Sequence, residues 1–142
     1  MIREAPAAAL RSWLLADRTI AAAVGSRLRP NQAAPSDALP YAVYSFRVAG
    51  GRDPIPSGGL VEYTLEVLIA GDYDQVAALG AAFADRLHQW GGTVGGRVIR
   101  GAFLRDEDDD HIDDPGDQIG YETKLQTYAV WVKEGLPAAT GI

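Results

Sequence analysis

Between Leu60 and Ala70 the chain alternates in polarity. Val61, Tyr63, Leu65, Val67 and Ile69 are apolar, while Glu62, Thr64 and Glu66 between them are polar. Successive side chains of a strand point to opposite faces, so this period of two predicts a sheet strand with one buried face. The period then changes. Val76, Leu79, Phe83, Leu87 and Trp90 recur at helical steps behind Asp72, which can cap a helix with Gln75 as its capping-box partner. Gly91-Gly92 is expected to stop that helix. Ala78, Gly80, Ala81, Ala82 and Ala84 supply small side chains that permit close packing against the sheet or a neighbouring subunit.

The remaining segments fit around this strand and helix. From about Ala5 to Val24, Leu10, Trp13, Leu14, Ala21 and Val24 recur at helical spacing and leave Arg11 and Arg18 polar-side. Gly25 should end this first helix. Arg27 to Pro30 reads as short and extended, Asn31 to Asp37 as a polar connection, and Tyr41 to Val48 as a strand rich in aromatic and β-branched residues. Ala49 to Gly59 is too rich in Gly and Pro for regular structure, and a long mobile loop is expected there. Arg97–Arg105 and Gly120–Lys133 are strand-like and flank an acidic run, so a long C-terminal β-hairpin with that run at its tip is expected. The fold class is therefore α+β: a mainly antiparallel or mixed sheet packed by two α-helices. With 142 residues the chain suits one domain, with a core over about 5–133 and a tail at 134–142 that orders only against a partner.

Charge is unevenly placed. Asp106 to Asp117 carries eight of the 19 acids and no Lys or Arg, so the rest sets 11 acids against 13 bases. A near-neutral body without a broad basic surface argues against a primary nucleic-acid binder. No apolar run approaches the roughly 18 to 20 residues needed to span a bilayer, and Glu4, Pro6 and Arg11 interrupt any signal-peptide core. The chain is expected to be cytosolic where it is made. Without cysteine it offers neither a disulfide framework nor a thiolate metal site.

Catalytic motifs are thin. His88 and His111 sit in no metal-protease spacing, and no GxSxG elbow occurs around any serine. Gly91 to Gly96 follows a helix and precedes a strand, the reverse of a phosphate cradle, so it reads as a helix stop and flexible turn. Asp106, Asp108 and Asp110 have the alternate spacing of a calcium loop, yet His111 stands where that loop needs Gly and Asp117 where it needs Glu. A solvated acidic tip is the plainer reading, and an electrostatic docking role is a third. No cofactor and no metal ligand set is expected.

The ordered set of segments resembles a known family. An N-terminal helix runs into Val24-Gly25-Ser26-Arg27-Leu28-Arg29-Pro30, and Leu39-Pro40-Tyr41-Ala42-Val43-Tyr44 follows. After the Gly-rich loop, Val61–Ile69 leads into Asp72-Tyr73-Asp74-Gln75-Val76, and Thr127-Tyr128-Ala129-Val130-Trp131-Val132 closes the chain. This layout, over about residues 5 to 133, is similar to that of siphophage tail-completion proteins, the group of tail terminators and tail-to-head joining proteins. The resemblance implies a non-enzymatic virion protein that forms a hexameric ring, caps the tail tube and meets the head connector, with genome DNA passing through unread. Interface candidates are Gly50, Gly51, Arg52, Asp53 and Ile55 in the first loop, and Asp106, Asp108, Asp109, Asp110, Asp113 and Asp114 in the acidic run. The alternatives are a head-side neck protein and a small calcium- or metabolite-binding domain.

Overall fold

The computed structural model describes residues 6–33, 37–48, 60–94, 97–114 and 117–133. Its helices are α1 (Pro6–Leu15), α2 (Arg18–Val24) and α3 (Tyr73–Leu87), with a single 3₁₀ turn at Gly25–Arg27. Its strands are β1 (Leu28–Pro30), β2 (Tyr41–Val48), β3 (Leu60–Gly71), β4 (Gly92–Val94), β5 (Arg97–Asp114) and β6 (Asp117–Lys133). They form one sheet in the order β1-β2-β3-β6-β5-β4. Only β1 and β2 run parallel, and every other neighbouring pair is antiparallel. The class is α+β, and the long C-terminal hairpin is β5–β6.

Alternation decides the sheet faces as the sequence predicts. Leu65, Val67 and Ile69 of β3 are fully buried, as are Tyr128 and Val132 of β6, and these join Leu14, Ile20, Val24, Leu79, Phe83 and Leu87 of the helices in one core. Each such large apolar side chain contributes about 1.5–3 kcal/mol of burial. The opposite face carries Val43, Glu62, Glu66, Leu68, Leu125 and Trp131, only half-buried, and no described helix packs on it.

Three elements depart from expectation. The first helix is broken into two, so the sheet is packed by three helices. Asp17 leaves the helix and caps α2, its carboxylate accepting from Thr19 N at 2.9 Å and Ile20 N at 3.2 Å. A short carboxylate that can satisfy orphan N–H groups favours a new helix start over continuing the old one. Next, α3 begins with the expected capping box at Asp72 but ends at Leu87, before Gly91-Gly92. There the backbone turns to the sheet instead: Gln89, at a φ of 61°, donates to Ala102 O at 2.6 Å, and His88 Nδ1 accepts from Leu104 N at 3.0 Å. Trp90 therefore lies beyond the helix and stacks on Trp13 with centroids 3.9 Å apart, while the Arg86 guanidinium sits 3.9 Å from the Trp13 centroid. Finally, Gly92–Val94 forms β4 against Arg97–Ile99, where a flexible turn was expected. Gly95 and Gly96 lie outside the described residues, as do the loop at 49–59 and the tail from Glu134 onward.

Candidate functional site

The acidic run is strand, not loop. Asp106 to Asp114 is the second half of β5 and pairs with β6 from Thr127 to Asp117. Two facts about the pairing make this stable despite the charge. Like charges directly opposite would repel, and they meet at Asp114 and Asp117, but β6 sets Thr127, Gln126, Leu125, Lys124 and Thr123 against Asp106, Glu107, Asp108, Asp109 and Asp110. The pleat then sends alternate acids to opposite faces.

Glu107, Asp109, His111 and Asp113 face the helix side and find partners. Gln126, fully buried, donates from Nε2 to Glu107 Oε2 at 2.8 Å and to Gly80 O of α3 at 2.9 Å. Its Oε1 accepts from the Tyr128 hydroxyl at 2.7 Å, so every group of the amide is engaged. Burial, with the Glu107 charge adding to it, pushes the Tyr128 phenol up from its ordinary value. Lys124 meets Asp109 at 2.9 Å and lies 3.9 Å from Glu107. Its hydrogen bond to Asp109 raises its pKa against the effect of burial, and the neighbouring carboxylates add to the rise. Gly80 is what lets Lys124 lie there, because a Cβ on Gly80 would stand 2.8 Å from Lys124 Cδ. At the far end His111 bridges two acids, Nδ1 to Glu122 at 2.7 Å and Nε2 to Asp113 at 3.0 Å. Its pKa is raised, first by the Glu122 hydrogen bond.

Asp106, Asp108 and Asp110 point to the open face. Asp106 and Asp108 have no ion pair among the described residues, and the Asp110 carboxylate accepts from the neighbouring His111 N. An extended backbone separates the Asp106 and Asp110 Cα atoms by about 13 Å. That spread is incompatible with a calcium loop, whose ligands converge on one ion. Among the described residues the outer side of this stretch is also unpaired. Strand β4 covers β5 only at Arg97–Ile99, and His88 and Gln89 bond only at Ala102 and Leu104. From Arg105 to Asp114 the outer edge of β5 is acidic and has no strand partner among the described residues.

The opposite edge strand, β1, lies in a segment rich in arginine, although Arg29 is paired with Asp37 and Arg47 of β2 with Glu66. Residues 11–47, which contribute α2, β1 and β2, hold five Arg, two Asp and neither Lys nor Glu. On β1, Arg29 grips Asp37 through two bonds of 2.6 and 2.9 Å. Arg27 bonds Pro40 O and Ala23 O, and Arg11 bonds Leu28 O. Hollows lie elsewhere among the described residues. A cleft of about 130 Å³ lies between Tyr73, Val76 and Ala77 of α3 and Asp109, Glu122 and Lys124. An apolar groove of about 370 Å³ runs between α2 and α3 along Ala22, Ala23, Pro40, Ala78 and Leu79.

Of the predicted interface residues, the structure groups Asp106, Asp108 and Asp110 on one face and puts Asp109 and Asp113 on the other. Gly50, Gly51, Arg52, Asp53 and Ile55 lie outside the described residues, as does the Asp114 side chain. Sequence reasoning missed Gln126, Tyr128 and Lys124, which decide how the acids are held. The signal available was Gly80, a glycine inside an otherwise alanine-rich helix.

The distinguishing features of the described residues are thus sheet faces and charged edges. The tail completion protein gp17 family model matches residues 8–117, and the chain belongs to that family. It is accordingly a structural, tail-associated virion protein. Its fold is similar to that of a chain from the virion of a native gene transfer agent particle, 18% identical, with a TM-score of 0.68 over 91% of this chain and 95% of that one. A second solved chain, 14% identical, superposes with a TM-score of 0.51 over 94% of this chain and 99% of its own. No curated protein matches the chain in sequence.

Proposed function

We propose that the protein forms a ring, hexameric by family resemblance, at the head-proximal end of a phage or phage-like tail. There it terminates the tail tube on one side and offers the head connector a docking surface on the other, with the genome passing through unread. The observation that carries this reading is membership in a tail-completion family over residues 8–117. The similar fold of a gene transfer agent virion chain, spanning nearly all of both chains, supports a particle of that general kind. A net charge of −6 is compatible with a channel that does not hold DNA, since a basic lumen would retain it.

The loop at 49–59 and the acidic strand are the proposed contact regions. Electron microscopy of particles lacking the protein tests the reading: tails of unregulated length indicate a terminator. Normal free tails beside full heads would instead indicate a joining role on the head side. Intact, infectious or transfer-competent particles would reject both. Deleting Gly50 to Gly59 should leave a folded subunit that no longer completes tails or joins heads, and normal particle yield would remove the loop from the mechanism.

A further inference from the structure

We propose that residues 134–142 fold back as a strap across the open face of the sheet, seating Leu136 beside Trp131 and Ile142 in a hollow at Leu68 and Leu125. No described helix packs on that face, and β6 ends at Lys133, two residues beyond Trp131.

The face is apolar where the strap would lie. Register places Val43, Leu68 and Leu125 side by side across β2, β3 and β6, and sets Phe103 beside Ala129. Trp131 and Leu125 stand on the same side of β6, because an even number of residues separates them. Val98 and Phe103 of β5 join this face and remain 37% and 41% exposed. The Phe103 ring lies back over Gly101, where a Cβ would stand 2.8 Å from Phe103 Cε2, and Gly101 is opposite Trp131. Farther along β6 a hollow of about 210 Å³ opens among Asn31, Val43, Ser45, Glu66, Leu68 and Leu125. A contiguous apolar patch of this kind marks a surface that is covered by something.

Length and composition identify the occupant. Residues 135–142, Gly-Leu-Pro-Ala-Ala-Thr-Gly-Ile, carry no charged side chain. Leu136 and Ile142 lie six positions apart, as do Trp131 and Leu125. Each interval spans about 20 Å of extended chain. Gly135 accepts the backbone angles of a tight reversal. A chain that turns at Glu134-Gly135 and runs back along β6 therefore brings Ile142 to Leu125 as Leu136 meets Trp131. Pro137 has no N–H to offer a ladder, which suits a strap on the face better than a strand at an edge. The groove between α2 and α3 is out of reach. Pro40 and Gln75 sit beside Gly71, about 36 Å along β3 from the level of Lys133, whereas nine residues span about 30 Å. The short tether also favours the chain's own sheet over a second copy, because it holds a high effective concentration.

The test uses the full chain, which has no cysteine of its own. Ser45→Cys/Gly141→Cys, oxidised at low protein concentration, should form a disulfide within one chain, seen as a shifted monomer band without reductant. It should form at least about tenfold faster than in Asp85→Cys/Gly141→Cys, a ratio equivalent to about 1.4 kcal/mol. Asp85 is exposed on α3, on the helix side of the sheet. Adding Leu136→Asp and Ile142→Asp should remove the advantage. In the chain without engineered cysteines, Leu136→Asp/Ile142→Asp should raise iodide quenching of Trp131, read as the signal that Trp131→Phe removes.

Equal rates for the two cysteine pairs would overturn the proposal. Disulfides that join two chains would overturn it in favour of a strap exchanged between copies. Unchanged Trp131 quenching in Leu136→Asp/Ile142→Asp would also overturn it and give the face to another occupant.

Discussion

Replacing Gln126 with Leu should destabilise the protein by about 2 kcal/mol, although leucine is apolar, similar in size and bound for a fully buried site. The cost comes from the groups left behind. The Tyr128 hydroxyl, now donating at 2.7 Å to Gln126 Oε1, would be stranded in the core, at about 1–3 kcal/mol. Glu107 loses a donor at 2.8 Å as well, but its side chain is 40% exposed and can return to water, so it adds little. For a chain of this length, about 2 kcal/mol lowers Tm by about 4–8 °C. Urea unfolding followed by tryptophan fluorescence measures the change, provided the m-value is constant. The decisive comparison is the double variant. Tyr128→Phe should cost about 1 kcal/mol less in the Gln126→Leu background than in wild type, since the hydroxyl is already orphaned there. Strict additivity, or a Gln126→Leu protein within about 0.5 kcal/mol of wild type, would refute the claim that this amide satisfies the hairpin core.

Other perturbations probe the remaining features. Asp72→Ala removes the carboxylate that accepts from Gln75 N at 2.8 Å and should cost about 1 kcal/mol, read by the same unfolding assay. Gly25 has a φ of 50° and open space where a Cβ would stand, so Gly25→Ala should cost about 1–2 kcal/mol from backbone conformation alone. A neutral Gly25→Ala would contradict that backbone conformation. His111 has a raised pKa in the folded state, so its stabilisation is complete below its unfolded value near 6.5 and is lost as pH rises through the folded value. Amide exchange at Tyr121 to Thr123 should therefore quicken with pH beyond the intrinsic chemical rate, and His111→Gln should abolish that excess.

The sequence was most legible where one period dominates. The alternation from Val61 to Ile69 and the Asp72–Gln75 capping box specify β3 and the start of α3 through local physics, and both occur as read. Element ends were less legible because they depend on distant partners. Nothing near Leu87 reveals that Ala102 and Leu104 will bond Gln89 and His88 and draw the chain out of its helix. The acidic run misled for a related reason. Eight acids in twelve residues suggest a solvated tip, and only the cross-strand register shows that Gln126 and Lys124 are available to donate to Glu107 and Asp109. Asp106 and Asp108 have no ion pair among the described residues, and the acidic strand is one of the proposed contact regions.

The pleat at Asp106–Asp110 lets one short stretch of sequence answer two selective demands independently. Odd positions can hold the fold while even ones drift with whatever surface adjoins them. Here Glu107 and Asp109 remain exposed but bond the half-buried Lys124 and the buried Gln126, so a deep mutational scan scored for solubility should find them less tolerant than their immediate neighbours. Scored for particle formation, the same scan should bring Asp106, Asp108 and Asp110 into the intolerant set. A single inserted residue in this stretch would exchange the two roles at once, and should be worse than any substitution within it.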